Sequence, residues 1–246
     1  MVSMSNTVTV WRPARAIPHL ADNALHIWLA LADEHGPSLP RYTRYLSPDE
    51  LQRAERLRLP RHRERFIISR GLLRALLGKY LDYRPELIQF ACSPQGKPYL
   101  PASFSSAPLS FNLSHSRDAV LFAVRLREPV GIDVEYMRDN LDFIALAERF
   151  LSVQEYRTVS SLSGAQQKAA FYTCWTRKEA YLKATGKGLA GLSEAAAMEN
   201  GLPSAGEHWT VIDLTIPEPF YSGAVAFSGG PAKIEALLLR LDNTGI

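Results

Sequence analysis

Asp133 and Glu135 stand two residues apart in Gly131-Ile132-Asp133-Val134-Glu135. About forty residues on comes Trp175-Thr176-Arg177-Lys178-Glu179-Ala180-Tyr181-Leu182-Lys183, followed by Ala184-Thr185-Gly186-Lys187-Gly188. If the first segment is a strand, its two carboxylates share a face, because side chains there repeat every two residues. If the second is a helix, Glu179 and Lys183 lie one turn apart on one face. Three carboxylates converging on one point repel each other unless a hard cation sits between them. Mg²⁺, held by a few carboxylates and completed by phosphate oxygens, answers that need. Oxygen ligands suit Mn²⁺ as well. The neighbouring Lys183 adds positive charge for the same phosphates. The pattern reads as a metal-dependent phosphate-transfer site.

Such a site needs a strand under Asp133 and a helix under Glu179, and the sequence predicts both. Val130 to Glu135 reads as a strand edged by Pro129. Gln166 to Ala184 reads as a long helix ended by Thr185-Gly186. Upstream, Leu109 to Leu113 is a strand running into Ser114-His115-Ser116, and Ala119 to Arg125 is the next. Ser47-Pro48-Asp49-Glu50 gives a helix start with cap, proline and glutamate in place. Arg61 to Tyr83 is a longer helix, with Phe66, Leu73, Leu76, Leu77 and Tyr80 at helical spacing. Gly96-Lys97-Pro98 marks a turn. Asp142 to Phe150 is a further helix, and Ser152-Val153-Gln154-Glu155 opens another. Strands return at Trp209 to Ile216, Tyr221 to Phe227 and Ile234 to Leu241. Each half has a helix-rich part and a sheet part, without a convincing sequence repeat. Met1 to Pro18 and the tail after Asp242 are expected to be loosely held.

The chain has 246 residues, 46% of them hydrophobic, enough for a substantial core. Two cysteines, Cys92 and Cys174, exclude a disulfide framework and fit a reducing, cytoplasmic setting. Met1 to Leu20 has no apolar core of a secretory signal. The longest apolar run, Ala119 to Val124, is too short to span a bilayer, so no membrane association is expected. Residues 41–84 hold 12 Lys or Arg against 5 Asp or Glu, an excess of +7; since the whole chain carries +3, the remainder nets −4. A basic block suggests an anionic partner, either nucleic acid or a phosphorylated small molecule. No stretch interleaves these arginines with aromatics as a single-strand binder would, and no zinc spacing or recognition helix occurs, so nucleic acid is not expected.

With these motifs in place, the chain resembles the Sfp-type 4′-phosphopantetheinyl transferases, which move phosphopantetheine from coenzyme A onto a serine of a carrier protein. That family carries a G-[IV]-D-x-E strand and, some forty residues on, W-x-x-K-E-[AS]-x-x-K followed by G-K-G-L. Here these are Gly131 to Glu135, Trp175 to Lys183 and Gly186-Lys187-Gly188-Leu189. The family's upstream G-K-P turn and N-[LIV]-S-H-[ST] motif are present as Gly96-Lys97-Pro98 and Asn112-Leu113-Ser114-His115-Ser116. Four motifs in order, over roughly residues 45–230, make chance agreement improbable.

The resemblance implies an α+β pseudo-dimer of two similar lobes, 1–128 and 129–246, with the active site between them. It assigns Asp133, Glu135 and Glu179 to Mg²⁺, and Lys97, Ser114, His115 and Lys183 to coenzyme A phosphates. Arg53 and Arg65 fall where the family has phosphate-binding cations, while Glu50 replaces a lysine of some members. The implied partner is an apo acyl or peptidyl carrier protein, expected to dock near Lys187–Leu202 on a monomeric enzyme. The carrier serine attacks the β-phosphorus. Lys183 assists electrostatically, and Glu179 takes the proton directly or through a metal-bound water; the sequence leaves both routes open.

Taken singly, each residue has an ordinary reading. Asp133 and Glu135 could be a solvated strand edge, and Glu179 with Lys183 a surface pair. Trp175 suits a core anchor and Cys174 a buried, inert thiol. A turn lysine such as Lys97 is by default solvent-exposed. Two other functions fit parts of the pattern. A metal-dependent pyrophosphate hydrolase would turn over coenzyme A alone. A nucleic-acid-binding module on the basic helix would need no metal, but the carboxylates would repel its ligand.

Overall fold

The computed structural model describes residues 7–102, 108–191, 198, 209–230 and 232–240. The chain begins with β1 (Thr7–Val8), β2 (Arg12–Pro13) and β3 (Ala24–Leu31). A 3₁₀ stretch, Ala32–Ser38, leads into α1 (Leu39–Tyr45), α2 (Pro48–Glu55) and α3 (Pro60–Leu81). The short strands β4 (Ala91–Cys92) and β5 (Pro98–Tyr99) precede the hairpin of β6 (Leu109–Ser116) and β7 (Ala119–Leu126). Then follow β8 (Val130–Tyr136), α4 (Phe143–Phe150), α5 (Val153–Ser160), α6 (Gly164–Thr185), β9 (Trp209–Leu214), β10 (Tyr221–Ser228) and β11 (Lys233–Leu238).

The strands form two principal sheets, ordered β1-β9-β10-β8 and β2-β11-β3-β7-β6. They pack face to face. Leu25, Ile27 and Leu29 of β3 and Leu121 and Ala123 of β7 share one core with Val130, Ile132 and Val134 of β8 and with Ile212 and Phe227. Strand alternation sends Trp28, Ala30 and Phe122 the other way, onto Ile68, Leu72 and Leu76 of α3. On the far side Ala224 and Ala226 of β10 meet Ala180, Tyr181 and Leu182 of α6. The result is four layers, helix–sheet–sheet–helix, the α+β architecture that the sequence predicts. The chain ends cross between the halves: β1 pairs parallel with β9, and β11 pairs parallel with β3. A division at 128/129 therefore leaves one strand of each half in the other's sheet.

Both side-chain-capped starts hold. Ser47 and Glu50 form a capping box at α2, and Ser152 and Glu155 another at α5. Gly186 ends α6 in the left-handed region at φ 71°. Two elements go beyond the sequence signals, and one expectation is corrected. β3 was not predicted, because Ala-Leu-His-Ile-Trp-Leu-Ala-Leu is buried on both faces and lacks the alternation of a half-exposed strand. α1, seven residues with no side-chain cap, also escapes the sequence signals. The N-terminal segment is not loose over its described part: β1 and β2 join the sheets, and the Trp11 indole donates to the Thr215 carbonyl at 2.6 Å.

The face of β8 opposite the shared core presents Gly131, Asp133 and Glu135 toward α6. A Cβ at Gly131 would overlap the Ala180 carbonyl oxygen and the Ala184 amide nitrogen, both backbone atoms that cannot rotate away. Only glycine lets the helix lie this close to the strand. Gly131→Ala is expected to push α6 outward and destabilise the protein by about 1–3 kcal/mol, as overpacking does. Urea unfolding measures the loss, and turnover should fall by more than the folded fraction does, because α6 carries Glu179 and Lys183.

Candidate active site

The site begins at a seam between two edge strands. β8 ends one sheet and β6 ends the other, so each has backbone groups without a strand partner. Side chains at every second residue of β6 satisfy N–H groups of β8. Asn112 Oδ1 accepts from the Ile132 N–H at 2.8 Å. Ser114 Oγ donates to Asp133 Oδ1 at 2.9 Å and accepts from the Val134 N–H at 3.4 Å. Ser116 Oγ donates to Glu135 Oε2 at 2.9 Å and accepts from the Tyr136 N–H at 3.0 Å. The acidic residues of β8 are thus aimed by hydroxyls from the other sheet. The signal was present in the sequence: Asn112, Ser114 and Ser116 alternate, so they share one face.

Lys183 reaches across from α6. Its ammonium bonds Asp133 Oδ1 at 2.6 Å and Ser114 Oγ at 2.8 Å. Asp133 is buried, and its second oxygen, Oδ2, has no hydrogen-bond partner. Glu135 and Glu179 both sit above the usual carboxylate range, first because burial disfavours their charge and next because Asp133 repels it. Among the described residues, no three acidic, histidine or cysteine side chains are already closed into a group that could hold a metal ion. The donors nonetheless fit one: an all-oxygen set, one oxygen buried without a partner, and two neighbouring carboxyls whose charge is disfavoured by burial and then by Asp133.

Much of the rest of the motif on α6 holds the helix in place. Arg177 forms a two-pronged pair with Asp213 of β9 at 2.7 and 2.6 Å. Lys178 is buried; it meets Glu155 of the α5 capping box at 2.9 Å and the Met198 carbonyl at 2.7 Å. Trp175 packs on Phe150 and Phe171. Cys174 is half-buried, and desolvation pushes its thiol up to about 12, leaving it protonated.

Beside the acidic cluster a cleft of about 270 Å³ runs between α3 and the C-terminal end of α6, with Arg53, Arg70, Gly96, Asn112, His115 and Lys183 in its wall. The His115 ring is open to solvent in this cleft yet lies below the ordinary histidine range. Desolvation by the surrounding walls lowers it most, followed by the cations Lys183, Arg70, Arg53 and Arg65. Arg53 spreads over the Phe66 ring at 5.4 Å. Arg65 is not in the cleft wall; its guanidinium lies 3.8 Å from Asp33. Arg70, which the sequence reading did not single out, does line it, 3.3 Å from Glu50. Glu50 itself is buried; it accepts from Arg74 at 2.6 Å, and Arg74 also bonds the Pro85 and Ile88 carbonyls. That pair is structural.

Lys97 has an unexpected setting. Its ammonium donates to the carbonyls of Val130 at 3.0 Å, Lys183 at 2.6 Å and Ala184 at 3.3 Å. It therefore joins the start of β8 to the last turn of α6, where helix carbonyls lack partners and carry partial negative charge. Burial lowers its pKa to about 8. The segment expected to receive a carrier, Lys187–Leu202, lies largely outside the described residues. Met198 within it is buried against α6 and β10.

The comparisons with known proteins agree with this geometry. Two family descriptions match: 4′-phosphopantetheinyl transferase, N-terminal, over residues 36–127, and the 4′-phosphopantetheinyl transferase superfamily over residues 129–222. The 4′-phosphopantetheinyl transferase HetI of Nostoc sp. is 38% identical over 223 residues, covering 89% of this chain and 94% of that protein. The 4′-phosphopantetheinyl transferase psf-1 of Bacillus pumilus is 37% identical over 154 residues, 62% of this chain and 64% of that one. The chain belongs to the 4′-phosphopantetheinyl transferase superfamily: it is an enzyme, a transferase that uses coenzyme A. Among the described residues, no helix is long and apolar enough to cross a membrane.

Two predictions follow from these contacts. A carboxyl whose pKa is raised on folding stabilises the protein fully below its unfolded pKa, and that contribution is lost as pH rises through the folded value. Glu135→Gln and Glu179→Gln are therefore expected to raise the melting temperature of metal-free protein at pH 7, on the order of 2–4 °C per kcal/mol relieved. The gain should vanish near pH 4, and Mg²⁺ should stabilise the parent more than either variant in a thermal scan. For Lys97→Met, the carbonyl contacts predict a fall in kcat that is equal for coenzyme A and dephospho-coenzyme A. A loss confined to coenzyme A would instead place Lys97 on the 3′-phosphate.

Proposed function

We propose that this enzyme transfers 4′-phosphopantetheine from coenzyme A to a serine of an apo acyl or peptidyl carrier protein and releases adenosine 3′,5′-bisphosphate. The observation that carries this reading is the join between a cationic cleft and an acidic cluster. The cleft wall, with Arg53, Arg70, His115 and Lys183, suits a nucleotide rich in phosphate; the cluster at its end suits a cation on the pyrophosphate. Asp133, Glu135 and Glu179 would hold Mg²⁺, with Mn²⁺ chemically admissible. Bound there, the ion neutralises charge on the pyrophosphate oxygens.

The protein's own groups do the rest. The cleft fixes the nucleotide so that the bridging oxygen of the pyrophosphate faces Lys183, which steadies the charge that develops as that bond breaks. The carrier serine oxygen forms the new bond to the β-phosphorus. Its proton passes to Glu179, whose raised pKa makes it a better acceptor than an ordinary carboxylate. Ser114 donates to Asp133 and so keeps that carboxylate aimed. Hydrolysis of coenzyme A alone would use the same groups, and it is disfavoured by the chain's place in a transferase superfamily. A nucleic-acid-binding role is disfavoured by where the basic helix points: Arg74 is buried, and Arg70 faces the cleft.

The decisive assay mixes enzyme, coenzyme A, Mg²⁺ and an apo carrier protein and looks for a phosphopantetheine mass gain on the carrier. Asp133→Ala and Glu179→Ala should each remove most of it, by about a hundredfold or more in kcat, as expected for groups that act on the developing charge. Near-parental turnover of Glu179→Ala at saturating Mg²⁺ would sink the assignment. A further consequence concerns His115. An anion bound against it cancels the positive field and favours its charged form, so binding takes up a proton and tightens as pH falls through the pKa of the complex toward the lower one of the free enzyme. Calorimetry of coenzyme A binding in two buffers of different ionisation enthalpy should show this uptake, reduced in His115→Asn.

A further inference from the structure

The end of the seam beyond Ser116 carries a surface with no role so far. β8 ends at Tyr136, one residue beyond Glu135. The Tyr136 ring lies 6.3 Å from Phe220 and 5.3 Å from Tyr221, centroid to centroid. The Arg117 guanidinium covers it at 3.4 Å. Phe220 is 55% exposed, an unusual state for a phenyl ring. Lys168 of α6 stands 5.8 Å from the Phe220 ring. Arg138, also exposed, lies close enough to Glu135 to act on its charge.

The backbone marks one residue of the same surface. Among the described residues, four other than glycine have positive φ: Asp82, Arg117, Arg127 and Phe220. Asp82 caps α3, Arg127 turns the chain between β7 and β8, and Arg117 is the first residue of the two-residue turn between β6 and β7, where positive φ is usual. Phe220, at 66°, lies beside Tyr136. Left-handed backbone is disfavoured for a bulky side chain. Phe220 is nonetheless held there, with its carbonyl accepting from the Met137 N–H at 2.7 Å. Burial of the ring does not account for this, since the ring is in solvent. Strain of this kind gathers at functional surfaces.

The seam sets the order. The cleft runs alongside β6 from Asn112 to His115, and Ser116, the next residue, meets Glu135. Arg117 follows directly, so the aromatic–arginine surface begins where the cleft wall and the acidic cluster stop. Building on the transfer reaction proposed above, we infer that Arg117, Tyr136, Phe220 and Arg138 form the platform on which the acceptor docks: a folded carrier domain with acidic side chains beside its serine. The guanidinium groups complement those acids and steer the encounter. The exposed phenyl and the arginine stacked on tyrosine are the residue types that dominate interface energetics. A partner seated there places its serine next to Glu135 without covering the cleft.

The test measures steady-state kinetics with two acceptors, an intact apo acyl carrier domain and a short serine peptide too small to reach the platform. Phe220→Ala and Arg117→Glu should each raise KM for the domain about tenfold. KM for coenzyme A and turnover of the peptide should stay within about twofold, since those contacts lie elsewhere. Phe220→Gly, which relieves the backbone while removing the ring, gives the same reading should the alanine variant melt early. Reversing an acidic residue beside the carrier serine to lysine should restore part of the activity of Arg117→Glu. Parental KM for the domain in all three variants would overturn the platform, as would equal losses with domain and peptide. If the parent enzyme loads neither acceptor, the transfer reading itself fails and the platform falls with it.

Discussion

The site depends on how closely α6 approaches β8. Gly131 removes the one Cβ that would keep them apart, and the backbone of Ala180 to Ala184 fills the space. Everything chemical follows from that contact. Glu179 and Lys183 lie on the helix turns that flank it, and Asp133 and Glu135 are the next two residues on the same face of the strand. The contact is then fastened from several directions: Lys97 bonds carbonyls at the helix end and the strand start, Arg177 grips β9, and Lys178 is sealed between Glu155 and Met198. A small residue at a strand–helix crossing thus governs where three carboxylates and a lysine can meet.

The electrostatics of that meeting are only partly balanced. Lys183 neutralises one oxygen of Asp133, and the other faces no donor. Glu135 and Glu179 are pushed toward their neutral forms. Burying acids in this way costs folding energy unless charge is supplied. The same arrangement that weakens the empty fold is what gives a cation and its phosphates something to bind, so stability and function oppose each other here.

The sequence made the chemistry legible, because chemistry is concentrated in short segments with a clear period. Asp133 and Glu135 share a face, Glu179 and Lys183 share a helix turn, and the capping boxes at Ser47 and Ser152 start their helices where the residues say. What was less legible depends on distant contacts. The strand Ala24–Leu31 is apolar on both faces because it lies between a helix and a second sheet, and so it shows no alternation. Arg65 and Arg70 both read as helix-face charge, about 140° apart around the helix, and only the packing of α3 shows which of the two faces lines the cleft. Lys97 reads as a turn lysine until the end of α6 arrives beside it. Ser114 and Ser116 read as the end of a strand, with Ser114 assigned by resemblance to a coenzyme A phosphate, whereas the unpaired edge of β8 gives both hydroxyls their partners.

The exchange of strands at the two chain ends has a consequence for how this molecule comes into being. β3 is flanked by β7 and by β11, and β11 follows it only after every other described strand and helix. The sheet of the first half therefore stays incomplete until β11 has been made, and until then β3 has an open edge. Contacts so far apart in sequence form slowly, and an exposed strand edge invites wrong pairing. The first half cannot complete its sheet by itself, and the arrival of β11, rather than the emergence of either lobe, sets the moment at which that sheet can close.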